Sequence, residues 1–327
     1  MSGINKRDKT LDIVRFIAMS GVLFDHYLCR FGNDVLTKFC LYLGGVSVCL
    51  FLCLTAYIYG LKWKNDSYRH FDFGSFFKSR FVRIVVPLWI VILFAFVFDY
   101  ITSQQVDFLA YLYNIFGLGW FRQVNSGGHL WYITILYILY AAILLFSFHR
   151  PDKISVRLIG FMLIVMSVLY VWHPAFLLPV CKSSVPLVLI YAFLLFYKSD
   201  EIILFFGNHL KLSVLLLLVL LASMVATVFC LPNDISFANN SALLMLGYNF
   251  GFLLFCTIIP LLKKIPSKDI RLFAVKESYE IYLVHPFVAT AVSMFCSNVY
   301  LFLPVWLVLT YLIAVLIRKV CNIITKK

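Results

Sequence analysis

The sequence predicts an all-α integral membrane protein, a bundle of about ten transmembrane helices with both termini in the cytoplasm, and three observations carry that expectation. Of the 327 residues, 63% are hydrophobic and only 13% charged, whereas roughly a quarter of a soluble domain is charged. Apolar stretches of about 20 residues, the length a helix needs to cross a bilayer, recur along the whole chain with short polar breaks. The basic residues fall in alternate breaks and not on one face. The net charge of +13 is therefore a topology signal, and no nucleic-acid partner is expected.

Spans are expected near 11–29, 40–61, 81–100, 129–148, 154–173, 183–197, 211–231, 241–262, 278–296 and 300–321. Of the 28 Lys and Arg, 23 lie at the ends and in the loops that share a side with both termini, four lie in the opposite loops, and Arg15 falls inside the first span. The positive-inside rule puts the richer side in the cytoplasm. There is no repeat, low-complexity tract or long linker, so residues 1–327 read as a single transmembrane domain with no fused soluble domain.

The first span contains Asp12, Arg15, Asp25 and His26 and lacks a small-residue cleavage site, so it is expected to stay as a helix. Ionisable groups inside a span cost at least a few kcal/mol and mark function by default. Arg15 and His26 are 11 residues apart, which at ~100° and ~1.5 Å per residue puts them on one face, about 16 Å apart along the axis. Arg15 would lie near the cytoplasmic end and His26 beyond the midplane, where an imidazole can take the proton of an attacking hydroxyl. The plainer reading is a packed histidine, with Arg15 snorkelling or paired to Asp12 one turn earlier.

The second span opens Gly44-Gly45-Val46, where paired glycines admit either a thin acyl chain or the backbone of another helix. After the polar segment Lys62 to Ser79, Arg80 and Arg83 stand three residues apart at the mouth of the third span. Their guanidinium forks suit phosphates, although basic pairs at such places often only set topology. The segment from Ser103 to Gly128 is rich in aromatics and glycine and is expected at the outer interface. The fourth span opens Gly128-His129-Leu130-Trp131-Tyr132; an aromatic belt explains the rings but not His129. The ninth runs Ser278-Tyr279-Glu280-Ile281-Tyr282 to His285-Pro286, with Ser278, Tyr282 and His285 on one face. A polar stripe of that kind should face protein or a cavity rather than lipid. The nine cysteines form no CxxC pair and no Cys/His cluster at zinc-ligand spacing, so they read as small buried hydrophobes and no metal is expected.

Taken in order, these segments resemble the membrane-bound acyltransferase family 3, which includes polysaccharide O-acetyltransferases and the enterobacterial common antigen acetyltransferase. LDIVRFIAMSGVLFDHY resembles the first helix of the family, with its Arg-x10-His spacing in Arg15 and His26; GGVSVCLFLCLTAYIYG resembles the second, with Thr55-Ala56 where the family usually has Ser-Gly. SRFVRIVVPLW, HLWYITILYILY and SYEIYLVHP resemble the third helix, the fourth and the late Ser-Tyr-x-x-Tyr-Leu-x-His segment. The resemblance is to the members that stand alone, without a periplasmic domain.

It implies a bacterial inner-membrane O-acyltransferase. Acetyl-coenzyme A would be the donor substrate, with no cofactor bound permanently. The acceptor would be a hydroxyl of a surface polysaccharide (O-antigen, capsule or exopolysaccharide) or of its undecaprenyl-linked precursor. In that reading His26 and Arg15 are the catalytic residues; Arg80, Arg83, Gly44 and Gly45 hold the coenzyme; and His129, Trp131, Ser278, Tyr282 and His285 contact or support the substrate. A polysaccharide-intermediate transporter or flippase is the alternative from another class, although nothing resembles inverted repeats or paired broken helices. A succinyl donor or an amino acceptor within the same family stays open.

Overall fold

A chain this apolar must satisfy its backbone hydrogen bonds within each segment, and helices do so. The computed structural model describes residues 9–31, 34–67, 69–103, 106–124, 127–148, 185–230, 237–264, 275–296 and 298–325, and all regular structure among them is helical. The α-helices are α1 (Lys9–Phe31), α2 (Asp34–Asn65), α3 (Phe73–Arg80), α4 (Val86–Ser103), α5 (Phe108–Ile115), α6 (Trp131–Phe146), α7 (Val185–Asn208), α8 (Leu210–Cys230), α9 (Phe237–Lys264), α10 (Ser278–Ser293) and α11 (Val299–Ile324). A π-helical turn, Phe81–Val85, joins α3 to α4, and a 3-10 turn, Gly128–Leu130, leads into α6.

Nine of the ten expected spans coincide with helices; the fifth, near 154–173, lies outside the described residues. Among the described residues, six helical stretches are long and apolar enough to cross a membrane: Val35–Asn65, Phe73–Thr102, Gly128–Phe146, Leu210–Cys230, Leu243–Lys264 and Val299–Ile324. The other three depart from that standard for visible reasons. Asp12, Arg15 and Asp25 interrupt the apolar run of α1, the apolar part of α7 ends at a kink at Lys198, and α10 has only 16 residues.

The chain forms two compact units, one of Met1–Arg69 with Phe146–Val275, the other of His70–Leu145 with Lys276–Lys327. In the first, α2 packs against α1, α7 and α9. Small residues let the backbones approach: a Cβ at Gly45 would lie 3.0 Å from the Leu244 carbonyl, and one at Gly251 would lie 2.8 Å from that of Val46. Near the end of α2, Trp63 stacks on Phe196 at 5.0 Å, and Lys64 donates to Ser199 at 3.0 Å and Asp200 at 2.7 Å.

In the second unit α10 packs on α4 and α11. Asp72 caps α3 by accepting from the Ser75 amide at 2.7 Å, a bond that holds its carboxyl below the usual range. The turn widens after Phe81, where the Val86 amide donates to the Phe81 carbonyl. Pro87 gives the reason: it has no N–H for the Arg83 carbonyl four residues earlier, and its ring crowds that oxygen.

The aromatic segment from Ser103 to Gly128 holds a short helix of its own, α5, folded back on α4. Trp89 donates to the Ile115 carbonyl at 2.8 Å and Tyr111 to that of Ala95 at 3.2 Å. Asp107 caps α5 through the Ala110 amide at 3.2 Å and accepts from Arg122 at 2.7 Å. The Arg122 hydrogen bond is the main cause that lowers the Asp107 carboxyl pKa. Gly117 closes the turn at a φ of +71°, a value that favours glycine, and its carbonyl accepts from Thr134 at 2.7 Å.

Candidate functional site

In the first unit, Arg15 and His26 stand on one unbroken helix, α1. The Arg15 guanidinium donates to Asp12 Oδ1 at 3.0 Å, so of the two readings open in the sequence the pair with Asp12 is formed. The pair is half-buried, the side chains being 27% and 17% exposed. His26 is also half-buried. Beside it, Asp25 accepts from the Cys29 thiol at 3.6 Å, and Cys40 of α2 completes a cluster whose ligand atoms lie within 4.8 Å of one another. Local spacing carries no sign of this cluster, because Cys40 comes from the next helix.

Both glycines at the start of the second span face protein. A Cβ at Gly44 would stand 2.8 Å from Asp25 Oδ2, while Gly45 meets the backbone of α9. They bring α2 against its neighbours.

In the second unit, Arg80 ends α3 and Arg83 lies inside the π turn. More residues fill a π turn than an α turn, so the two guanidinium groups are set further round the axis than an α-helical i, i+3 pair. Arg80 is half-buried, its guanidinium over the rings of Phe76 at 6.0 Å and Tyr140 at 5.6 Å; Arg83 is exposed.

His129, Tyr282 and His285 come together in the core of this unit. His129 is 6% exposed and His285 fully buried, with ring centroids 5.3 Å apart. One ring nitrogen of each histidine and the tyrosine hydroxyl meet backbone carbonyls. His129 Nε2 faces the Leu283 carbonyl at 3.1 Å, and the Tyr282 hydroxyl donates to the His129 carbonyl. His285 Nδ1 lies 2.8 Å from the Tyr282 carbonyl. That oxygen is the one Pro286 leaves without its helical partner, since Pro has no N–H to return to residue 282. Carbonyls only accept, so neutral His285 carries its proton on Nδ1 and neutral His129 on Nε2. Trp306 of α11 donates to the His285 carbonyl at 2.7 Å.

Ser278 is buried at the start of α10, and Trp131 is half-buried, edge-on to Trp120 at 6.3 Å. Thus the stripe of Ser278, Tyr282 and His285 does face protein. Tyr279, which the stripe passed over, donates to the Ile84 carbonyl at 3.0 Å and so ties α10 to the π turn; only its place between Ser278 and Tyr282 hinted at this.

A family model described as an acyltransferase domain matches residues 8–318. The chain belongs to the acyltransferase 3 family. No curated protein and no solved structure matches it. Its apolar helices and its family together make it a multi-pass membrane acyltransferase. The match takes in both α1 and α10. Tyr282 and His285 of α10 are buried and bonded to backbone carbonyls, while His26 is half-buried on a helix that also carries Arg15.

Proposed function

We propose that the chain takes an acetyl group from cytoplasmic acetyl-coenzyme A and transfers it to a hydroxyl of an extracytoplasmic polysaccharide or of its undecaprenyl-linked precursor, in a bacterial inner membrane with both termini inside. The observation that carries this reading is the placing of Arg15 and His26, half-buried, on one helix of an acyltransferase 3 chain. Eleven residues set them about 16 Å apart on nearly one face. A donor held at one end of α1 and an acceptor at the other can meet along that face.

In the reaction, His26 accepts the acceptor's hydroxyl proton as the oxygen attacks the thioester carbonyl. The carbon–sulfur bond then breaks, and the coenzyme leaves as a thiolate that takes up a proton. Arg15, oriented by Asp12, lies at the donor end, where a fixed guanidinium suits the anionic coenzyme. Arg80 and Arg83 serve the coenzyme's phosphates, the exposed Arg83 more directly than the aromatic-held Arg80. Gly44 and Gly45 act through close helix packing, and His129, Trp131, Ser278, Tyr282 and His285 support the second unit.

Replacing His26 by Ala in the host and counting O-acetyl groups on its surface glycan by NMR tests the assignment. Loss of the ester with the protein still present in the membrane is expected; full acetylation rejects the role of His26.

A further inference from the structure

The cluster beside His26 is absent from the acyl-transfer reading, and its donor set is unlike that of an ordinary core. Asp25 and Cys29 are four residues apart on α1, hence on one face, and Cys40 approaches from α2. Asp25 Oδ1 and Cys29 Sγ are 3.6 Å apart. Around a tetrahedral zinc ion, with Zn–O about 2.0 Å and Zn–S about 2.3 Å, an oxygen and a sulfur ligand stand about 3.5 Å apart. All three ligand atoms fall within 4.8 Å of one another, and both thiols are free.

The second carboxylate oxygen of Asp25 is seated against Gly44, where a Cβ would come within 2.8 Å, so the carboxylate is held against α2. Burial is graded across the cluster, with Cys40 buried, Asp25 half-buried and Cys29 exposed. An ion would enter from the Cys29 side and keep its fourth position there.

We propose that Asp25, Cys29 and Cys40 bind a divalent cation of the zinc type, clamping the end of α1 to the start of α2. Two thiolates and one carboxylate favour zinc or cadmium over magnesium or calcium, which take oxygen ligands. Three protein ligands leave the fourth position to water. Binding converts both thiols to thiolates and releases two protons to solvent, so affinity climbs as pH rises towards the thiol range. The site stands independently of the role given to His26.

The test uses the full chain, purified in detergent with a tag free of histidine, equilibrated with zinc, desalted and assayed for metal by mass spectrometry. One zinc per chain is expected, with the exposed Cys29 labelled by maleimide at least ~10-fold more slowly than in chelator-treated protein. Cys29→Ser and Cys40→Ser should each weaken binding ~100-fold or more, and Asp25→Asn about 10-fold. Cadmium added to the unaltered protein should give thiolate-to-metal charge-transfer absorption, a readout that needs no variant to fold. Well under one zinc per chain, equal binding by the variants, no charge-transfer band, or a Cys29–Cys40 disulfide in freshly purified protein overturns the proposal.

Discussion

His285 of α10, His129 of the 3-10 turn before α6 and His26 of α1 show how differently one residue type is used in this protein. His285 is fully buried and His129 nearly so, and both turn a ring nitrogen to a backbone carbonyl. His26 is half-buried, on a helix whose Arg15 is held in place by Asp12. A ring sealed in the core contributes hydrogen bonds that a helix interrupted by proline lacks. A ring with open surface can meet a substrate. Depth of burial, more than the presence of a histidine in a span, sets these three residues apart.

The largest expected effect belongs to His26. His26→Gln should slow acyl transfer by at least ~100-fold, the low end for loss of a general base, with an unchanged melting temperature in detergent. An equal loss of stability would put His26 with the scaffold and collapse the contrast.

His285→Leu should do the reverse, lowering stability by about 2 kcal/mol because the buried Tyr282 carbonyl loses its donor. Pro286→Ala restores a backbone N–H for that carbonyl, so in its background the same substitution should cost about 1 kcal/mol less, measured by a double-mutant cycle of thermal unfolding. Additive costs would show that His285 does not cap this carbonyl. Tyr282→Phe removes the hydroxyl that donates to His129 and should cost about 1 kcal/mol in the same assay, with the transfer rate of the folded protein kept.

The smallest effect tests a polar contact outside both regions. Asp107 has a lowered carboxyl pKa, chiefly through Arg122. Its contribution is therefore present above the unfolded value of about 3.9 and is lost as pH falls through the lower folded value. Hydrogen exchange in α5 should be faster in Asp107→Asn than in the unaltered protein at neutral pH, and the two should converge in strong acid. A constant difference at every pH would assign the effect to the cap alone.

The sequence made most long helices legible, because hydropathy and charge spacing report what each segment must avoid in lipid. It also marked Arg15 and His26 correctly as residues of one helix, and Ser278, Tyr282 and His285 as a stripe that faces protein. Three features escaped it for physical reasons. The Cys29–Cys40 approach depends on how α1 and α2 are rotated about their axes, which local spacing does not encode. The π turn reverses no hydrophobic pattern; only Pro87 behind Arg83 pointed to strain there. The bonding of His285 to the Tyr282 carbonyl follows from the proline after it, a signal present in His285-Pro286 but readable only once the helix is seen to continue through residue 286.

The wide turn between α3 and α4 acts as a built-in phase shift. One residue beyond the α-helical repeat rotates everything upstream of Phe81 by about 100° relative to a straight continuation of α4. Deleting one residue from the turn would erase that offset and swing Arg80 away from the Tyr140 ring it now lies over, leaving the composition of the segment almost untouched. The bearing of a cationic side chain is thus fixed by a count of residues, so a length change here would be felt where a conservative substitution would pass unnoticed.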